Sequence, residues 1–291
     1  MQSKTIIATI VIPSHNRQEK TERAIASVLR QPGAARTKIV VVDDASTVPF
    51  TSQLLRLQDV CLRNTTNAGA AASRNQGIAL AEGKLIFLLD SDDYFVERDF
   101  EALYKEIDDG AEHGIWYCDI SSQDGTRHFP DKVTKDDFLD AVFWKHPRIC
   151  QTSSLCFPAS LKLLFDESLP KHQDWDFVYA ALASGMPLRR KRGLVFFDRS
   201  DSSSLSKSYS PLKSFPWYNK LQALSGALRP DPCFVRFHLF AFYPDLLHLK
   251  EFLGVALRLL KSKHTNAKFI LKAIYFRLNY RLDSLRKVGS Q

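Results

Sequence analysis

Residues 85–93, Leu-Ile-Phe-Leu-Leu-Asp-Ser-Asp-Asp, run five apolar side chains straight into an acidic cluster. A short apolar run reads as a buried parallel strand, with a buried helix segment as the rival. At the end of a strand Asp90 and Asp92 stand two residues apart and can point to one side, because side chains alternate with period two. Two carboxylates so placed form a small, hard, anionic pocket. It suits Mg²⁺ or Mn²⁺, which take oxygen ligands and bind through one or two carboxylates plus substrate phosphates. Taken alone, the cluster is equally a solvated turn that caps the next helix.

The surrounding segments supply the context. Residues 5–12 read as a strand, 13–17 as a polar turn and 20–29 as a helix with Ala24, Ile25, Val28 and Leu29 at helical spacing, closed by Pro32 and Gly33. Residues 38–42 form a second strand ending in Asp43-Asp44, 60–63 a weaker third, and 70–81 a helix opened by Asn67-Ala68-Gly69 and stopped by Gly83. This alternation implies right-handed crossovers and a mostly parallel α/β sheet flanked by helices. Ligands of such sheets bind beyond the carboxyl ends of the strands, which here carry His15 and Asn16, Asp43 and Asp44, and Asp90 to Asp93.

That rim fits a nucleotide diphosphate. Asp44 can accept the imide N–H of uracil, Asp90 can take ribose hydroxyls, Asp92 can hold a metal bridging two phosphates, and Arg74 can add a cation near phosphate or sugar. Individually, Asp43 and Asp44 read as a helix N-cap pair and Arg74 as a solvated helix residue; their joint occurrence carries the weight. Neither GxGxxG after the first strand nor GxxxxGK[ST] anywhere is present, so the dinucleotide and P-loop fingerprints are missing.

Composition sets the outer bounds. A chain of 291 residues that is 45% hydrophobic can bury a full core. Five scattered cysteines without a CxxC pair read as reduced, mostly buried thiols, with neither disulfides nor zinc. Residues 6–12 end in Pro13 and read as a strand rather than a signal peptide, and no run of about 18 apolar residues exists to span a membrane. Of the net charge of +8, residues 230–291 carry +7, from 11 Lys and Arg against 4 acids. Such a segment points to an anionic partner.

The segments Thr9-Ile10-Val11-Ile12-Pro13-Ser14-His15-Asn16-Arg17, Val40-Val41-Val42-Asp43-Asp44-Ala45-Ser46, Asn67-Ala68-Gly69 with Ala72-Ser73-Arg74-Asn75-Gln76-Gly77-Ile78, and Glu82-Gly83-Lys84 leading to Asp90-Ser91-Asp92-Asp93 resemble, in order and spacing, the motif set of the family-2 glycosyltransferases. The resemblance covers roughly residues 5 to 200. It implies the GT-A fold, a Rossmann-like sheet, and an inverting, metal-dependent enzyme of the bacterial polysaccharide type that builds O-antigen or capsule. It places Pro13, His15, Asp44 and Arg74 where the family contacts the nucleotide. Asp90, Ser91 and Asp92 fall on its DxD motif, with Asp92 the ligand of a Mn or Mg cation.

Inverting transfer needs a general base on the acceptor side, because the attacking hydroxyl must lose its proton. Phe165-Asp166-Glu167 and then Gln173-Asp174-Trp175-Asp176 resemble the family's FDE and later acidic stretch, which makes Asp174 the base and Asp176 its rival. Gln173 stands where Glu is commoner. Without the resemblance, Asp174 and Asp176 would be ordinary acids at the start of a helix over 175–183. Residues 189–192, Arg-Arg-Lys-Arg, read as a solvated loop before a strand over 194–197, and 198–204 as a mobile polar loop. His113, His128 and His172 lack metal-ligand spacing.

Together these readings give a GT-A catalytic domain over 1–229, with a nucleotide-binding half to about residue 100 and an acceptor half over 101–229, then a helical basic region over 230–291. The expected activity moves a sugar from a UDP-sugar to a saccharide acceptor, lipid-linked in the favoured version, in cell-surface polysaccharide synthesis. The alternatives are a nucleotidyltransferase and a non-catalytic sugar-nucleotide binding module. No nucleic-acid partner is expected. Two readings of the basic region stay open: helices packed on the catalytic domain, and a cationic face against an anionic membrane surface. The expected location is cytoplasmic, including the inner face of the cell membrane.

Overall fold

Strand β1 (Ala8–Ser14) is buried at every position but Pro13, and β2 (Thr37–Asp43) at all seven. Unbroken burial of β-branched residues is what a strand covered on both faces of a parallel sheet demands. The computed structural model describes residues 5–108, 114–142 and 149–200, with 213, 216, 217 and 219–221. The basic region 230–291, the expected boundary at 229, His113 and residues 201–204 lie outside the described residues. Every element below belongs to one compact unit, residues 1–168 with 172–207.

Beside β1 and β2 lie β3 (Val60–Arg63) and β4 (Leu85–Leu88), and all four run parallel in the order β3-β2-β1-β4. The sheet then turns mixed. β5 (Tyr94–Glu97) forms its far edge, antiparallel to β10 (Leu188–Phe196). β6 (Ile115–Ser122) is parallel to β10, and β9 (Leu155–Pro158) enters antiparallel to both β4 and β6. β7 (Gly125–Arg127) and β8 (Lys132–Val133) pair off this path with β6 and β10. The α/β sheet expected from the sequence is present, parallel in its first half and mixed beyond β4. Its directions have one consequence for the site: the carboxyl ends of β1, β2, β4, β6 and β10 and the amino end of β9 share an edge.

Helix α1 (Gln18–Leu29) packs Ala24, Ile25 and Val28 inward, and α2 (Ala70–Ala79) crosses β1. α3 (Phe100–Asp108), α4 (Lys135–Asp140) and α5 (Gln173–Ala183) complete the helices used here. α2 meets β1 through Gly77, where a Cβ would stand 2.3 Å from Val11 Cγ1. Only a residue without a side chain lets the helix come this close, and Arg74 lies one turn earlier on the same helix.

Residues 189–192 correct the sequence reading. They are strand, not loop: β10 begins at Leu188 and bulges between Arg190 and Leu194. The bulge uses Gly193 at φ 150°, whose hydrogen faces the fully buried Arg98; a Cβ there would stand 2.7 Å from Arg98 Nη1. The charges are tied to neighbours, Arg190 to Asp131 at 2.7 Å, Lys191 to Glu106 at 2.7 Å and Arg192 to Glu97 at 2.8 Å. Acids from β5, from α3 and from the residue before β8 let a basic run serve as a strand, a pairing invisible to local composition. Among the described cysteines, Cys118, Cys150 and Cys156 are buried and Cys61 is exposed.

Candidate active site

The shared edge opens into a cleft of about 650 Å³. Its walls include each residue singled out in the sequence: Pro13, His15, Asp44, Arg74, Asp90, Ser91, Asp92 and Asp174. The fold therefore brings together side chains spread over more than half the chain.

The turn after β1 is fixed by the loop after β2. Asn16 takes a left-handed φ of 53°, its N–H donates to Ser46 Oγ at 2.9 Å, and its side-chain oxygen accepts the Thr47 N–H at 2.8 Å. His15 Nδ1 lies 2.7 Å from the Asp44 carbonyl oxygen and Nε2 lies 3.0 Å from Asn16 Nδ2. A carbonyl can only accept and an amide nitrogen can only donate, so His15 carries its proton on Nδ1.

Asp43 and Asp44 divide into different tasks. Asp43 is structural: it accepts the Ser46 and Phe50 N–H groups and an Arg63 guanidinium at 2.6 Å. Burial alone would raise its carboxyl, and these donors bring it below the usual range. Asp44 accepts from Asn64 Nδ2 and the Ala68 N–H on Oδ1, and from the Gly69 N–H on Oδ2. It thus anchors the entry to α2. Three donors leave one of a carboxylate's roughly four acceptor positions uncommitted.

Arg74, 7% exposed, donates to Asp90 Oδ1 at 2.5 Å and lies over the Phe165 ring at 5.2 Å. Phe165 in turn stacks on Phe177 of α5, with ring centroids 4.4 Å apart. Asn75 exchanges hydrogen bonds with the Phe165 backbone at 2.8 and 2.9 Å and reaches Glu167 Oε1 at 2.7 Å. The segment around Phe165 therefore clasps α2 to α5 and sets Arg74 and Asp174 on one cleft.

Asp174 stands in the first turn of α5, after His172 in a left-handed conformation at φ 63°. Desolvation pushes its carboxyl up to about 6, with Trp175 N–H and Arg74 opposing and Asp90 adding to the rise. Its rival Asp176 is 6% exposed and is not one of the residues lining the cleft.

The acidic cluster after β4 is not one pocket. Asp92 lines the cleft, whereas Asp93 is fully buried and turned inward, accepting from Ser153 Oγ at 2.5 Å, Gln151 Nε2 at 2.7 Å and the Asp198 N–H at 3.0 Å. Burial, then the charges of Asp90 and Asp92, push Asp93 well above the usual carboxylate range. Burial and Asp90 also raise Asp92, while Arg17 lowers it. Asp90 and Asp92 each keep an arginine partner, Arg74 and Arg17, and both line the cleft, so the pair offers the carboxylate oxygens that a hard cation takes. Among the described residues no three His, Cys, Asp or Glu side chains group to hold a metal, so the two carboxylates would need substrate and water oxygens to complete a shell.

Residues not singled out as site residues from sequence line the cleft, as Arg17, Gln151 and Thr152 do, or brace it from behind. Arg17 donates to Asp92 Oδ2 at 2.9 Å, and Arg23 donates to the Asp92 carbonyl at 2.5 Å and to Asp198 Oδ2 at 2.8 Å. Gln151 and Thr152 arrive because β9 is antiparallel. Asp198, read as part of a mobile polar loop, is 7% exposed. Burial would raise it, but donors from Ser200, Arg23 and Gln123 hold it far below the usual range. The basic character of Arg17, the N-cap of α1, and of Arg23 in the second turn of that helix was the available signal.

Comparison with known proteins bears on family and fold. The chain is 23% identical over 189 residues to an uncharacterized glycosyltransferase of Methanocaldococcus jannaschii, covering 61% of this chain and 65% of that protein's length. It is 28% identical over 191 residues to a putative colanic acid biosynthesis glycosyl transferase of Escherichia coli K12, covering 62% of this chain and 68% of that protein. The fold is that of Staphylococcus aureus TarS, solved in complex with UDP-GlcNAc: the TM-score is 0.61 at 18% identity, over 86% of this chain and 80% of that one. The sequence model of glycosyl transferase family 2 matches residues 9–163, the stretch that builds β1 through β9 and nearly all of the cleft, and the chain belongs to that family.

Proposed function

We propose that the cleft transfers a sugar from a UDP-sugar to a hydroxyl of a saccharide acceptor, with inversion at the anomeric carbon. The observation that carries the reading is Asp174, a desolvated carboxylate raised to about 6, on the same cleft as Asp90 and Asp92 but on a separate element. A base of that strength is charged at neutral pH yet retains a drive to take a proton.

Asp44, with His15 and Pro13 beside it, receives the uracil end, and Asp90 with Ser91 receives ribose and sugar hydroxyls. Arg74 holds Asp90 in place and adds positive charge toward the diphosphate side. Asp174 accepts the acceptor's hydroxyl proton as that oxygen bonds to the anomeric carbon and the bond to the diphosphate oxygen breaks; attack from the opposite face inverts the centre. Asp92 would hold a Mn or Mg cation, which would supply charge to offset the departing diphosphate. The UDP-sugar class is supported by the complex of TarS with UDP-GlcNAc, and a role in cell-surface polysaccharide synthesis by the name of the Escherichia coli relative.

The acceptor in this proposal is a lipid-linked saccharide, met at the inner face of the membrane through the basic region 230–291. Among the described residues no helix is long and apolar enough to cross a membrane. The test is calorimetry of UDP with and without Mn²⁺, followed by a screen of UDP-sugars for metal-dependent hydrolysis. UDP affinity that ignores Mn²⁺ and is unchanged in Asp92→Ala rejects the donor-site assignment.

A further inference from the structure

Arg74 uses less of its neighbour than an arginine ordinarily does. Among the described residues its guanidinium makes one hydrogen bond, from Nη2 to Asp90 Oδ1 at 2.5 Å, and its Nε is buried without a hydrogen-bond partner. A planar fork of five N–H donors beside a carboxylate tends to close on it through two parallel bonds. Here the guanidinium carbon also lies over the Phe165 ring, 5.2 Å from its centroid. Attraction of the cation to the ring face gives the fork a second hold, in an orientation that forgoes the second bond to Asp90.

The ring does not depend on Arg74 for its own place. Phe165 is 3% exposed and stacks on Phe177 of α5, with centroids 4.4 Å apart and planes 17° apart. Its N–H donates to Asn75 Oδ1 at 2.8 Å and its carbonyl accepts from Asn75 Nδ2 at 2.9 Å. Asn75 Nδ2 also donates to Glu167 Oε1 at 2.7 Å, and a carboxylate that only accepts fixes which end of the amide is nitrogen. Asn75 follows Arg74 in α2, so one helix carries both the cation and the residue that grips its platform.

We infer that Phe165 is the positioning residue of Arg74: its ring keeps the fork from closing on Asp90 and so leaves N–H donors of Arg74 for the diphosphate of the donor. The inference rests on the proposed place of Arg74 on the diphosphate side. A guanidinium paired through two bonds with Asp90 would have its charge matched and donors spent, and would offer a phosphate less. One bonded through a single nitrogen and held by the ring keeps its remaining donors oriented before the ligand arrives, so binding need not order them. Phe165 is not among the residues lining the cleft, and it acts through Arg74.

The experiment is a double-mutant cycle read by calorimetry of UDP, with Mn²⁺ present, on the full chain: wild type, Phe165→Leu, Arg74→Met and the double variant. Phe165→Leu should bind UDP about fivefold more weakly, the scale of one cation–π contact. Arg74→Met should lose more, and adding Phe165→Leu to it should weaken UDP no further, because the ring has nothing left to position. Wild-type UDP affinity in Phe165→Leu overturns the inference. So does a full additional loss in the Arg74→Met background, which would mean that the ring supports the cleft without acting through Arg74. If Phe165→Leu does not fold, Asn75→Ala, which keeps the ring but releases its backbone, takes its place in the cycle with the same two deciding outcomes. Failure of the underlying reading looks different: Arg74→Met then binds UDP as wild type does, which rejects Arg74 as a diphosphate contact and this inference with it.

Discussion

Ser153 accepts the Asp90 main-chain N–H at 2.9 Å while donating its own Oγ–H to Asp93 Oδ2 at 2.5 Å. One hydroxyl on the loop before β9 thereby fixes the backbone on which Asp90 and Asp92 are displayed. Ser153→Ala removes a donor from a fully buried carboxylate and leaves the Asp90 amide unpaired. A loss of about 2–4 kcal/mol of stability is expected, because two buried polar groups each lose a partner. Urea unfolding of the two proteins checks it, and a change under 0.5 kcal/mol, about the noise of a neutral surface substitution, contradicts the arrangement.

Asp174→Asn should lower turnover by a hundredfold or more, the usual range of a positioned base, while leaving UDP affinity unchanged. The same variant should be more stable at pH 7, by up to about 3 kcal/mol, because a carboxylate raised from 3.8 to about 6 is charged there at the expense of the fold. Loss of activity together with a raised melting temperature is the joint expectation. Should Asp176→Asn be the inactive protein and Asp174→Asn retain normal turnover, the base has been misassigned.

The pH dependence has a definite sign. The base works unprotonated, so kcat/KM should rise with pH through a midpoint near 6. Stability runs the other way for this group. Its folded pKa lies above the unfolded value of 3.8, so its contribution is fully present below about 4 and is lost as pH rises through about 6. An acidic limb centred below 4.5 in the rate profile of wild type would place the proton elsewhere.

Gly77→Ala tests how α2 is held on β1. The added carbon would stand 2.3 Å from Val11 Cγ1, a branched side chain buried in the sheet, so the helix must shift. Overpacking of this kind costs about 1–3 kcal/mol. Because Arg74 travels with α2, UDP affinity should weaken as well. Unaltered stability and affinity in Gly77→Ala would show that the helix has room to spare.

The sequence by itself determined the first half of the fold. Apolar runs at β1, β2 and β4 alternating with helical spacing at α1 and α2 are local signals, and burial on both faces of a parallel sheet requires them. The residues at the strand ends, from His15 to Asp92, follow from the same pattern, since parallel strands deliver their carboxyl ends to one edge. Tertiary structure alone decided the rest. The basic run at residues 189–192 is strand because acids from other segments, Asp131, Glu106 and Glu97, stand opposite it. Asp93 and Asp92 look alike in sequence, yet one is sealed by Ser153 and Gln151 while the other faces the cleft and Arg17. The raised pKa of Asp174 comes from desolvation by the folded walls, not from its neighbours in the chain. Local pattern fixes direction and periodicity; which charge is buried and which faces ligand depends on partners tens to more than a hundred residues away, and only the folded chain brings those together.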